Sequence, residues 1–179
     1  MKKGAGSTSL QEVVRNIVSR SPEQTQRLGM QVGELSQPGD LFLLVGGLGT
    51  GKTCLTQGIA WGLGVEGYAT SPSFVVINQH RGRLPLYHID LYRIESIEEV
   101  IELGLDDYLY GGGVCVVEWA EKAFAVLPAE HLLIEMSFVS DTSRSLTFKA
   151  RGQRYLEMLS QLSSRQRAKK ALRADERTA

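Results

Sequence analysis

The sequence predicts a three-layer α/β/α fold, with helices on both faces of a mixed, mainly parallel central sheet. Three observations carry that prediction. The run "LFLLV", Leu41 to Val45, is apolar without alternation, as a strand covered on both faces has to be. The run "VCVVE", Val114 to Glu118, reads the same way. Around these two, strand-like and helix-like stretches alternate along the chain, the pattern of the α/β class.

Residues 1–10 are rich in glycine and serine and are expected to be flexible. "VVRNIVSR" has the β-branched content of a strand. A helix follows: Ser21 suits its N-cap, Pro22 its first position, and Glu23 its positive end. Leu28, Val32 and Leu35 fall on one face of it. "QPGD" turns the chain into "LFLLV". A second helix is expected from about Lys52 to Leu63, ended by "GLG". "FVVINQHRGRLPLYHIDLYRI" reads as two strands around a turn at "RGR". "SIEEVIELGLDDYL" reads as one helix, with Ser96 and Glu99 at capping-box spacing and Ile97, Val100 and Ile101 as its apolar face. After the "VCVVE" strand, "HLLIEMSFV" and "RSLTFKA" are expected to form a hairpin at one edge of the sheet. The chain from "RYLEMLSQL" onward is helical in pattern. Residues 1–162 are expected to be one domain and residues 163–179 a basic tail, mobile and either helical or disordered.

Composition narrows the function. Lys plus Arg and Asp plus Glu are 20 each, so no overall charge grips DNA or a membrane surface. No apolar run approaches the ~20 residues of a membrane-spanning helix, and "MKKGAGSTSL" lacks the apolar core of a secretory signal. A cytoplasmic location is expected. Cys54 and Cys115 are far apart, with no metal or disulfide spacing, and read as small buried side chains.

The stretch "GGLGTGKT", Gly46 to Thr53, matches the phosphate-loop pattern G-x-x-x-x-G-K-[ST] in full and lies between the expected strand and helix. Glycines let backbone amides approach phosphate oxygens, and the helix start adds its positive end. Gly47, Leu48, Gly49, Thr50, Gly51, Lys52, Thr53 and Cys54 are therefore the expected nucleotide cradle. Lys52 supplies charge to the β- and γ-phosphates, and Thr53 offers a hydroxyl to Mg²⁺. The fold class thus becomes that of a P-loop NTPase. Small-molecule kinases, GTPases and ATPases share this loop. The guanine-reading N-K-x-D pattern is absent, which leaves ATP as the expected nucleotide.

A phosphoryl-transfer site also needs a carboxylate for Mg²⁺ at a strand end. Glu118 ends "VCVVE" and fits that need; an ordinary surface acid is the alternative. Asp90 ends "LYHID" and fits a residue that orients or deprotonates water; a turn acid is the alternative. His88, two residues earlier, points to the same face as Asp90, and a structural role suits a lone histidine best. "TSPSF" brings the hydroxyls of Thr70, Ser71 and Ser73, either as a turn or as a loop that senses nucleotide state. Trp119 packs near the nucleotide or fills core. No arginine is clearly placed as a finger.

Together these blocks resemble the bacterial TsaE family of tRNA threonylcarbamoyladenosine biosynthesis. The resemblance runs in order from about Ser21 to Ala150 through "SPEQTQRLG", "PGDLFLLVGGLGTGKT", "TSPSF", "LPLYHIDLYR" and "ELGLDDYLYGGGVCVVEWAEK". It implies a small P-loop ATPase that binds ATP and Mg²⁺ and hydrolyses ATP weakly alone. It implies action with the TsaD–TsaB pair, and through that pair with tRNA, where threonylcarbamoyl is placed on the adenosine beside the anticodon of tRNAs reading ANN codons. By the same resemblance Lys52 holds phosphate, Thr53 and Glu118 serve Mg²⁺, Asp90 acts on the attacking water, and "TSPSF" is nucleotide-sensitive. The chain departs from the family pattern at Gly47, usually Asp, at Thr50, usually Ala, and at Ser73, usually Thr. A small-molecule kinase and a nucleotide-gated binding regulator without significant turnover are the other two classes that the loop allows.

Overall fold

The computed structural model describes residues 12–67 and 76–175. Seven strands form one sheet in the order β1-β7-β6-β2-β5-β4-β3. These are β1 (Glu12–Ser19), β2 (Leu41–Val45), β3 (Ile77–His80), β4 (Leu86–Asp90), β5 (Val114–Glu118), β6 (His131–Phe138) and β7 (Arg144–Arg151). The four central strands β6, β2, β5 and β4 run parallel. The outer pairs β1–β7, β7–β6 and β4–β3 are antiparallel, so the sheet is mixed with a parallel centre.

Alternate residues of β2 serve opposite cores, which explains its unbroken apolar run. Phe42 and Leu44 pack with Val116, Leu132 and Ile134 against helices α1 (Pro22–Leu35), α2 (Lys52–Gly62) and α5 (Gln153–Asp175). Leu41 and Leu43 pack with Val117 and Ile89 against α3 (Ile97–Glu102) and α4 (Asp106–Leu109). Helices on both faces give the three layers that the sequence predicts.

Helix α1 begins where expected: Ser21 Oγ accepts from the Gln24 N–H at 3.3 Å, and Pro22 fills the first turn. It lies alongside α2 in the same direction, backbone on backbone. A Cβ added to Gly58 would stand 2.1 Å from the Gln26 carbonyl oxygen, and one on Gly33 would stand 2.2 Å from that of Ile59. The contact brings the two helix starts together, and Cys54 Sγ donates to the Pro22 carbonyl at 3.4 Å. At the other end the Arg83 guanidinium donates to the carbonyls of Gly33 at 2.7 Å and Ser36 at 2.8 Å, while the Arg83 N–H reaches the Leu63 carbonyl at 2.7 Å. The turn at "RGR" therefore satisfies the last carbonyls of both helices.

Two expectations are corrected. The stretch 96–109 is two short helices, because the chain turns at Gly104 with φ 61° and cannot continue the first. Ser96 caps the first as expected and Val100 is buried, but Ile101 is exposed. The β6–β7 hairpin is not at the sheet edge: β1 adds outside β7, in a register that pairs Glu12 with Arg151. Of the helical or disordered states expected beyond residue 162, the structure has the helical one: α5 runs unbroken to Asp175. The ion pair Arg165–Glu34, at 2.6 Å, ties that part to α1. Tyr155, Met158 and Leu162 of α5 are core residues.

Candidate functional site

The parallel strands β2, β5 and β4 are adjacent and end together. Leu44 pairs with Glu118, and Glu118 pairs with Asp90. The glycine-rich loop leaves the end of β2, so loop, Glu118 and Asp90 meet in one crevice at the carboxyl ends of the strands, where open α/β sheets place their ligands.

The loop has the backbone that its sequence demands. Gly49 and Gly51 have φ of 78° and 96°, in the left-handed region that favours glycine, and Gly51 is the N-cap of α2. Thr50 is buried, and its hydroxyl donates to the Gly47 carbonyl at 2.8 Å, closing the loop on itself. Gly47 needs no glycine: nothing lies within 4 Å of a Cβ there. Leu48 is exposed, so its side chain lies outside the cradle.

Lys52 is 5 % exposed and lies under the loop. Its Nζ donates to the carbonyls of Gly46 at 2.5 Å and Gly47 at 3.1 Å and sits 3.9 Å from the centroid of the Trp119 ring. Burial holds this ammonium below its ordinary pKa, and the carboxylates of Glu118, Glu121 and Asp90 pull it partly back. Trp119 has φ 58° and is the one non-glycine residue with positive φ among those described. Such a backbone costs about 1–3 kcal/mol and marks a position over-determined by its surroundings. Here the ring packs on Tyr92 at 5.1 Å and under the Lys52 cation.

Glu118 is buried and shared by three donors. Oε2 accepts from the Thr53 hydroxyl at 3.0 Å, and Oε1 accepts from the Thr56 hydroxyl at 3.1 Å. Oε1 also stands 2.8 Å from His88 Nε2, on a histidine with no exposure. This contact fixes the carboxylate so that Oε2 faces Thr53. His88 Nδ1 is buried without a hydrogen-bond partner. Asp90, half-buried on the neighbouring strand end, accepts from the Tyr92 N–H at 3.0 Å.

Among the described residues no cluster of three or more His, Cys, Asp or Glu can cage a metal ion. Thr53 and Glu118 instead offer two hard oxygens 3.0 Å apart at the start of the phosphate-loop helix. That donor set fits Mg²⁺, which binds through one or two protein oxygens, substrate phosphates and water.

The structure thus brings together Lys52, Thr53, Glu118, Asp90 and Trp119. Cys54 borders the loop, and burial pushes its thiol up. Thr70, Ser71 and Ser73 lie outside the described residues. Sequence reasoning missed Thr56, placed a helical turn beyond Thr53, and gave His88 only a structural part. It did not single out Arg144, whose Nη2 donates to the loop carbonyl of Gly49 at 3.4 Å. Among the described residues no helix is long and apolar enough to cross a membrane.

A glycine loop between a doubly buried strand and a helix, flanked by a strand that ends in a shielded carboxylate, defines a P-loop nucleotide-binding protein. Comparison with known proteins narrows the class. The family model described as "Threonylcarbamoyl adenosine biosynthesis protein TsaE" matches residues 19–146, and the chain belongs to this family. A relative from Bacillus subtilis is 44% identical over 144 residues, covering 80% of this chain and 90% of its own. One from Treponema pallidum is 42% identical over 130 residues, covering 73% and 96%. Both are named tRNA threonylcarbamoyladenosine biosynthesis protein TsaE. The crystal structure of Bacillus subtilis YdiB superposes with a TM-score of 0.75 at 37% identity, covering 88% of this chain and 99% of that one.

Proposed function

We propose that the chain is a Mg²⁺-dependent ATPase that supports the making of threonylcarbamoyladenosine in tRNA in the cytoplasm, with TsaD and TsaB as its partners and tRNA reached through them. The observation that carries the ATP step is the contact of Glu118 Oε2 with the Thr53 hydroxyl, 3.0 Å, at the start of the phosphate-loop helix and in register with Asp90. The family membership supports the pathway.

In this reading the loop amides and the start of α2 take the phosphates. Lys52 leaves the Gly46 and Gly47 carbonyls for the β- and γ-oxygens. Thr53 and Glu118 would hold Mg²⁺, which would supply charge neutralisation to the phosphates of a bound nucleotide. His88 and Thr56 keep Glu118 in that orientation. Asp90 orients the attacking water in line with the γ-phosphate and accepts its proton. The family resemblance supports slow turnover by the chain alone and a partner that completes the site.

ATP hydrolysis by the purified chain, measured alone and with the TsaD–TsaB pair, with and without tRNA, tests this. Strong stimulation by the pair is expected. Transfer of the γ-phosphoryl group to a small molecule, with no stimulation, overturns it in favour of a kinase. Full support of the pair by a chain that no longer hydrolyses ATP overturns it in favour of a nucleotide-gated regulator.

A further inference from the structure

Glu118 has two carboxylate oxygens, and they are held differently. Oε2 accepts from the Thr53 hydroxyl at 3.0 Å. Oε1 is taken by two residues with no exposure at all, His88 and Thr56. His88 Nε2 stands 2.8 Å from it and the Thr56 hydroxyl 3.1 Å. The Thr56 proton is shared with the Lys52 carbonyl, also at 3.1 Å, so His88 is the firmer of the two.

A carboxylate accepts, so His88 Nε2 carries a proton. Nδ1 of the same ring is buried and has no partner. Among the described residues Glu118 is therefore the one polar contact of this histidine. A buried polar atom left without a partner is a standing cost, which an apolar side chain at this place on β4 would avoid. What the histidine provides against that cost is its hold on Oε1.

The hold limits how many oxygens the carboxylate can give to a cation. To bind one through both oxygens, Glu118 would have to release His88 in a place that is 2% exposed, where water cannot replace the bond. One oxygen remains, beside a hydroxyl carried by the first turn of α2. Few ligands in a fixed arrangement suit Mg²⁺, which demands near-octahedral geometry and keeps several waters. Ca²⁺ is larger, takes about six to eight oxygens, and gains from a carboxylate that turns both of its oxygens to it.

We propose that His88, seconded by Thr56, selects Mg²⁺ over Ca²⁺ at this site by holding Glu118 to one oxygen. The proposal rests on the Mg²⁺–nucleotide reading above and goes beyond it by naming the positioning residues that choose the cation.

The test is equilibrium titration of the full chain with ATP in excess Mg²⁺, in excess Ca²⁺ and in EDTA. It compares the unaltered protein with His88→Leu, His88→Gln, Thr56→Val and Thr56→Ser. The unaltered chain is expected to bind ATP more tightly in Mg²⁺ than in Ca²⁺. In His88→Leu the affinity in Mg²⁺ is expected to fall roughly 10- to 100-fold, the range for residues that orient a metal ligand. Affinity in Ca²⁺ falls less or rises, so the preference narrows. Thr56→Val keeps the shape of the side chain and shifts the preference in the same direction, so it carries the test if His88→Leu does not fold. His88→Gln and Thr56→Ser keep a donor and keep most of the preference. Affinity in EDTA reads the loop without a cation and stays unchanged in all four variants. A merely structural role would lower all three affinities together and leave the preference intact, and that result overturns the proposal. So does an unaltered chain that binds ATP equally well with either cation. ATP binding that no cation strengthens would sink the Mg²⁺ reading itself, and the proposal with it.

Discussion

The Lys52 ammonium lies 3.9 Å from the centroid of the Trp119 ring and is held there by the carbonyls of Gly46 and Gly47 in its own loop. These are weak substitutes for a phosphate, and burial works against the charge. Because the folded-state pKa of Lys52 is lowered, its cost to the fold is full below that pKa and vanishes as pH rises to the ordinary lysine value. At neutral pH, Lys52→Met is therefore expected to raise Tm, on the order of 2 °C, while nucleotide binding is lost. A fall in Tm on thermal unfolding would mean that the loop needs the cation more than burial opposes it.

Asp90 accepts from the Tyr92 N–H at 3.0 Å in a short turn that an asparagine also makes. Asp90→Asn therefore keeps the strand end and removes the base. If the carboxylate acts on water, kcat falls about 10²- to 10⁴-fold and KM for ATP changes little. Steady-state kinetics read both values. A fall in affinity without a fall in kcat would assign Asp90 to binding.

The geometry of the loop is local, and that is why its place was legible. Gly46 to Thr53 need only their own backbone and the helix they open, and Glu118 announces itself by ending an apolar strand. Two partners of Glu118, Thr56 and His88, were not legible. His88 lies 30 residues away in sequence, and only the β4–β5 register brings its ring to the carboxylate. Arg144 reaches Gly49 across 95 residues for the same reason. The place of β1 depends on β7 having an open edge 131 residues later, as the Asn16–Thr147 hydrogen bond shows. Periodicity carries no information about that. The break at Gly104 was a different failure: Ile97, Val100 and Ile101 suggested one continuing helix, but a left-handed glycine outweighs a weak apolar stripe.

Two glycines separate packing from loop chemistry. Gly58 has the Gln26 carbonyl 2.1 Å from where a Cβ would stand, whereas Gly47 has nothing within 4 Å. Gly58→Ala pushes α1 off α2 and is expected to cost about 2–3 kcal/mol or more, read as a lower urea midpoint with an unchanged m-value. Gly47→Asp meets no neighbour and should leave the unfolding free energy within ~0.5 kcal/mol of the unaltered chain. Equal losses for the two variants would contradict the backbone contact between the helices.

His131 gives the pH dependence. It is 6% exposed, and its Nδ1–H donates to the Pro128 carbonyl at 2.8 Å. Burial lowers its pKa below the ordinary 6.5. The Pro128 contact opposes that shift, Arg151 adds to it, and Glu12 opposes it. His80 is lowered too, by burial and by His88. A histidine with a lowered folded-state pKa favours the fold above pH 6.5, where both states are neutral. Once pH drops through 6.5 the unfolded chain takes the proton first. Stability is therefore expected to decline from pH 7.5 to 5.5, before the carboxylates titrate. His131→Asn keeps a donor for Pro128 and cannot charge, so it should make that decline shallower. Urea unfolding of both proteins across this range decides the point. A decline of the same steepness in His131→Asn would assign the acid sensitivity to His80 or to another group.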